Sequence, residues 1–206
     1  GGSSVRTAGR HERGRLGEQR ADALVGDEDA ALAQLYNAPT DLQSGSEILY
    51  TKVQLLLCQR DYKAAQQAVD TLQPGGRFIT PLRVLMLRAA VSHLSGDLPR
   101  AKALYQQAVT RAAGGGGVGE TALVSALSMP IAQAGSGHRA EALHALDDVR
   151  ATLTKLDLGS NVNTLSRVRA EVDVMLGDND AAIAALDKAL AAPTGRSVSV
   201  PLLKLD

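Results

Sequence analysis

A short punctuation mark recurs five times along this 206-residue chain, and it constrains the fold more than any other feature. A two-residue turn is followed, five positions after its first residue, by an alanine. The instances are Gly26-Asp27 with Ala31, Arg60-Asp61 with Ala65, Gly96-Asp97 with Ala101, Gly137-His138 with Ala142, and Gly177-Asp178 with Ala182. Successive alanines stand 34, 36, 41 and 40 residues apart. Periods of that size belong to stacked supersecondary units, none of which buries its apolar face alone.

The residues around each alanine say what the unit is. Four positions on come Leu35, Val69, Tyr105, Leu146 and Leu186, and three further on Ala38, Leu72, Ala108, Val149 and Ala189. Offsets of four and seven fall on one stripe of an α-helix, so each alanine opens a helix with a single buried face. A first helix precedes each turn, over roughly 12–25, 46–59, 81–95, 118–134 and 160–176. Thr80-Pro81 supplies an N-cap and a proline at the first helical position, and Gly96 and Gly177 tolerate the left-handed backbone that ends a helix. Pro130 lies inside the fourth of these first helices and is expected to kink or break it near Ser128. Composition agrees with helix throughout. Aromatic residues make up 2% of the chain, too few for a β-sandwich or barrel, while alanine and leucine, both strong helix formers, dominate.

These residues resemble the tetratricopeptide repeat family. In that pattern a small residue sits mid-way along the first helix, matched by Ala89 and Ala170; then come a turn, often Gly-Asp, an alanine, a large apolar residue, another small residue and a closing proline, matched by Pro39 and Pro74. The resemblance covers about residues 12 to 192. The chain departs from it at Gln19, Val53 and Pro130, which occupy the small first-helix position in the other units, and in the two spacings near 40. Those longer spacings leave a 40-residue helical array of bacterial transcription regulators as an alternative for the C-terminal half. The resemblance implies an all-α, right-handed solenoid of about five antiparallel hairpins.

Three regions follow. Residues 1–11, rich in Gly, Ser and Arg, read as a disordered lead-in or linker; 12–193 as the helical repeat domain; and 194–206 as a truncated C-terminal capping segment, its Val198, Val200, Leu202 and Leu203 suited to covering the last hairpin. The chain reads as a piece of a longer polypeptide. The run Gly114 to Gly117 falls between the third and fourth hairpins with no strand before it and no Gly-Lys-Ser/Thr after it, so it reads as a loop rather than a phosphate cradle.

Chemistry is not where the signal lies. Lys and Arg number 22 against 22 Asp and Glu, without the basic excess of a nucleic-acid module. The single cysteine, Cys58, admits no internal disulfide and reads as a small apolar residue of a helix. His11, His93, His138 and His144 are scattered, and His144 with Asp147 or Asp148 reads as a solvated helical pair rather than half a metal site. Asp27, Glu28, Asp29, Asp178 and Asp180 fall at the starts of second helices, where carboxylates meet free N–H groups. No catalytic residue, metal ligand or cofactor is expected, and no apolar run is long enough to span a bilayer.

What the resemblance implies about function is a binding groove. In tetratricopeptide arrays the first helices line a concave surface, and that register places Arg13, Leu16, Arg20, Glu47, Tyr50, Gln54, Leu57, Arg83, Met86, His93, Leu127, Thr164, Arg167 and Glu171 there. Of these, Arg13, Arg20, Tyr50, Gln54, Arg83, Met86, His93, Arg167 and Glu171 are the expected partner-binding residues. The alternative is that Leu16, Met86 and Leu127 pack between hairpins and the arginines are ordinary surface residues. The expected function is a non-catalytic scaffold holding a partner peptide or helix; the alternative is a sensory or regulatory arm of a bacterial transcription regulator, kinase or cyclase, the partner then being other domains of its own chain. The Lys/Asn clamp by which chaperone-binding relatives hold a C-terminal carboxylate is not reproduced. The expected compartment is the cytoplasm, or the periplasm if the parent protein carries an upstream membrane anchor.

Overall fold

The turn that punctuates the sequence is built the same way four times. In the computed structural model, which describes residues 28–37, 45–75, 79–114, 121–155 and 162–191, the first turn residue adopts positive φ: Arg60 at 59°, Gly96 at 86°, Gly137 at 90° and Gly177 at 79°. The amide after it reaches back five residues, Asp61 to Leu56 O, Asp97 to Ser92 O, His138 to Gln133 O and Asp178 to Asp173 O, at 2.8 to 2.9 Å. The turn residue's own amide donates three residues back, to Leu57, His93, Ala134 and Val174. This pair of bonds is the Schellman motif, which satisfies the last carbonyls of a helix while reversing the chain. Asp61, Asp97 and Asp178 then cap the next helix, accepting from Ala64 N, Arg100 N and Ala181 N at 3.0, 3.2 and 3.3 Å. His138 stands where the other turns have aspartate, its Nδ1 3.1 Å from Ser136 Oγ and 3.0 Å from Gln133 Oε1.

The helices so joined are α1 (Glu28–Tyr36), α2 (Ser46–Cys58), α3 (Tyr62–Thr71), α4 (Pro81–Leu94), α5 (Leu98–Ala113), α6 (Ala122–Gly135), α7 (Arg139–Lys155), α8 (Val162–Met175) and α9 (Asn179–Ala191). Thr80 Oγ1 caps α4 at Arg83 N, with Pro81 at the first position, and Thr121 caps α6 at Val124 N. Hairpins α2/α3, α4/α5, α6/α7 and α8/α9 stack in chain order, and α1 is the second helix of a unit before them. The five marker alanines are all buried, none more than 2% exposed, as are Val69, Tyr105, Leu146, Leu72, Ala108, Val149 and Ala189 on the same stripe. Leu186 and Cys58 are half-buried. Among the described residues the only β pairing is a lone bridge between Gly75 and Ile79, and no helix is long and apolar enough to cross a membrane. The expected first helix 12–25, with Arg13, Leu16, Gln19 and Arg20, lies outside the described residues, as do the lead-in, His11, Asp27, Ala38, Pro39, Gly115 to Gly117 and the segment 194–206.

Pro130 does not break its helix, one of the two outcomes expected of it. It is buried inside α6, and the helix runs through it to Gly135 without the expected break near Ser128. The proline removes one amide donor, but α6 packs against α4, α5, α7 and α8, and that burial outweighs one lost helical bond.

Two interior clusters meet at α4. Val84, Leu87 and Val91 face a cluster shared with α1, α2 and α3, whereas Leu82 and Ala89 face a second one built with α5 to α8. Arginines pin the joints between units: Arg88 donates to Val69 O and Leu72 O at the end of α3 at 3.3 and 2.8 Å, and Arg139 to Leu176 O after α8 at 3.3 Å. A cation there meets the negative end of the helix dipole.

Candidate functional site

The first helices of the last three hairpins lie side by side. Helices α4, α6 and α8 pack directly on one another across hairpins, whereas the second helices α5, α7 and α9 have no comparable mutual contact. Elements that touch across units lie on the inside of a curve and those that spread lie outside, so α4, α6 and α8 form an inner wall, whereas α2 makes no comparable contact with α4. The wall curls far enough that charges from distant units act on one another.

Tyr50 of α2 registers this. Burial pushes its hydroxyl above the ordinary tyrosine range; Arg83 of α4 and Arg167 of α8 oppose the shift, and Glu171 of α8 adds to it. Residues separated by more than a hundred positions thus share one electrostatic neighbourhood, beside the first interior cluster on which Tyr50 packs. Within it Arg167 and Glu171 form an ion pair one turn apart. Arg83, half-buried, has no ion-pair partner among the described residues.

A second tyrosine is buried in the second interior cluster. Tyr105 sits on α5, its ring fully buried, and passes over the end of α6 where Gly135 has no side chain. A Cβ at Gly135 would stand 2.2 Å from Tyr105 Cδ2, so glycine there is what admits the ring. His93, in the last turn of α4, meets the ring edge-on with centroids 6.4 Å apart and planes at 67°. The Tyr105 hydroxyl is buried without a hydrogen-bond partner. Burial pushes it well above the ordinary tyrosine range, and the Glu171 carboxylate adds to the shift.

Of the other expected groove residues, Gln54 is exposed, Thr164 and Glu47 are half-buried, and Met86 and Leu127 pack against the second interior cluster and Leu57 against the first. His144 lies 3.5 Å from Asp148, both well exposed, as a solvated pair. Among the described residues no three His, Cys, Asp or Glu side chains gather as metal ligands.

The whole arrangement superposes on a solved structure, a tetratricopeptide repeat protein from Parabacteroides merdae, with a TM-score of 0.57 over 93% of this chain and 69% of that one, at 15% identity. The fold is that of a tetratricopeptide repeat array. No family model and no curated protein matches the sequence. The likeness is one of fold, and the charged groups on α2, α4 and α8 rest on the chain's own geometry.

Sequence reasoning placed Tyr105 on the buried stripe of a second helix and missed that its ring lies over the end of α6 with its hydroxyl buried and unpartnered. One signal was present: Tyr105 replaces the aliphatic residue of the other units.

A cleft also opens outside the inner wall, about 450 Å³, between α7, α8 and α9, with Leu143, Leu146 and Leu165 at its floor and Arg150, Arg169 and Lys188 around it. Arg169 is engaged by Asp173 at 2.6 Å and Arg150 by Asp147 at 3.3 Å.

Proposed function

We propose that this array is a non-catalytic scaffold that holds a segment of another protein, an extended peptide or a helix, along its first helices α2, α4, α6 and α8. The observation that carries the reading is the convergence of Tyr50, Arg83, Arg167 and Glu171, from three separate first helices, into one mixed polar and charged neighbourhood. Concave surfaces with a few convergent polar groups among apolar side chains are where peptides and helices bind. Met86 and Leu127 serve as apolar flooring rather than as free anchors. The balanced charge speaks against nucleic acid as the partner.

The reading is tested by placing a photo-cross-linking residue at exposed Gln54 on α2 and, separately, at exposed Lys102 on α5. Cross-links to a discrete partner from position 54 and not from 102 are expected, lost in an Arg83→Glu/Arg167→Glu variant that keeps its helical circular dichroism. Equal labelling from both positions overturns the reading. Cross-links from position 54 to other parts of the parent polypeptide move the regulatory-arm reading ahead. The same experiment in intact cells reports whether the partner is cytoplasmic, the compartment this reading favours.

A further inference from the structure

We infer that the cleft between α7, α8 and α9 is a second docking site, outside the inner wall, for a short acidic segment of a partner protein that inserts one aliphatic side chain flanked by carboxylates. Three observations lead there. First, the cleft, about 450 Å³, opens where an earlier joint of the array is closed. Eight positions before the turn, α4 carries Arg88 and α8 carries Arg169. Arg88 crosses to α3 and donates to Val69 O and Leu72 O at 3.3 and 2.8 Å, which seals that joint. Arg169 instead turns along its own helix to Asp173, Nε to Oδ2 at 2.6 Å, and makes no bond to the matching carbonyls of α7, those of Leu146 and Val149. The cause is written in the sequence, since the position of Asp173 is held in α4 by Ser92, which offers no charge to draw the arginine away. Accordingly α8 packs less closely on α7 than α4 does on α3 or α6 on α5.

Second, the rim is cationic in a way the repeat does not impose. Arg150, Arg169 and Lys188 come from three helices to one cleft, with Asp147 as the one carboxylate among its described lining residues. At the register equivalents of these cations in the preceding joint stand Val109, Met129 and Asp148. Arg150 is engaged by Asp147 and Arg169 by Asp173, while exposed Lys188 has no ion pair among the described residues, so the rim keeps a positive balance. Because Arg169 holds Asp173 through Nε, the terminal nitrogens of its guanidinium remain for an incoming carboxylate. Third, the floor is apolar, with Leu143, Leu146 and Leu165 beside Ala185. A cavity of this size takes roughly one or two large side chains. The phosphates of a nucleic acid or a lipid headgroup would satisfy the cations and leave the leucines facing water. An aliphatic side chain between aspartates or glutamates satisfies both the floor and the rim.

The test uses three pools of twelve-residue, N-acetylated and C-amidated fluorescent peptides. One has a leucine centre with flanks randomised over Glu, Asp, Ser and Gly, one the same centre with Gln and Asn replacing the acids, and one the acidic flanks around an alanine centre. Anisotropy titration of the whole chain is expected to show the acidic leucine pool binding roughly tenfold tighter than either of the others. Arg150→Gln/Lys188→Gln, both at exposed positions, is expected to erase the preference for acidic flanks with an unchanged urea midpoint, whereas Arg83→Glu/Arg167→Glu on the inner wall keeps it. Equal binding of the acidic and amide pools, or none, overturns the inference and leaves the scaffold function to its own test. A preference lost in Arg83→Glu/Arg167→Glu and kept in the rim variant moves the acidic segment to the inner wall and overturns it as well. So does rim-dependent binding to phosphatidylserine vesicles without a preference between the peptide pools, which gives the cations to lipid headgroups.

Discussion

The two interior clusters of this solenoid are filled by different means. The one at the N-terminal side is packed by branched and long aliphatics, Leu32, Leu35, Ile48, Val53, Leu55, Leu56, Val69, Leu72, Ile79, Val84, Leu87 and Val91, with only Ala31 and Ala65 among its buried members as small residues. The one beyond α4 is more than half alanine, Ala89, Ala101, Ala108, Ala112, Ala132, Ala134 and Ala142, around one large ring, Tyr105. Aliphatic volume stabilises by the area it removes from water, about 1.5–3 kcal/mol per fully buried side chain. Alanine contributes little area but lets backbones approach. The first cluster is therefore a conventional core, and the second is a close-approach surface built around the Tyr105 ring.

That contrast can be broken deliberately. The largest effect is expected from Leu72→Ala in the first cluster, which removes a fully buried side chain at about 2–5 kcal/mol, read as a lower urea midpoint with unchanged cooperativity. In the second cluster, enlargement rather than truncation is the damaging change. Gly135→Ala drives a methyl into the Tyr105 ring and is expected to cost about 1–3 kcal/mol despite the better helix propensity of alanine. Combining it with Tyr105→Leu should recover most of that loss; strict additivity of the two changes would mean that the ring and the glycine are not coupled.

What was legible in the sequence divides along the same line. The hairpin register was readable because it is written locally: a left-handed turn residue, a capping aspartate and an alanine stripe act within one or two helical turns. The first-helix residues on α2, α4 and α8 followed from that register, but their convergence did not, because the curl of the wall depends on how closely alanine-lined helices approach over many units. That Pro130 leaves its helix unbroken has a related cause. Its local effect is a lost hydrogen bond, and the packing of α6 on four neighbours, which has no local signature, outweighs it. Tyr105 read as one more buried residue because nothing in the stripe says which way the end of a long side chain points.

Two smaller effects sharpen the comparison. Asp173 is buried in the last first-helix and held by half-exposed Arg169 at 2.6 Å. Arg169→Met leaves that carboxylate without its charged partner, for an expected loss of about 1–3 kcal/mol in thermal or urea unfolding. The smallest concerns pH. Tyr50 and Tyr105 have native pKa values raised above the unfolded value of about 10, so above that pH the native state binds more protons than the unfolded one. Stability is then expected to be unaffected by these groups below pH about 10 and to fall as the pH rises past it. Ultraviolet difference spectra should show their phenolate signals emerging with unfolding rather than before it.

Helix α4 is oily on both flanks, and this decides where the molecule can be divided. A module that ends after α3 exposes the aliphatic face that Val84, Leu87 and Val91 would have covered, and one that begins at α4 exposes those three residues themselves. Neither fragment has a wettable end. Gene fusion, proteolytic trimming or recombination at this boundary yields sticky halves, so a segment that keeps α4 intact with a hairpin on each side is the smallest unit that can be moved between proteins.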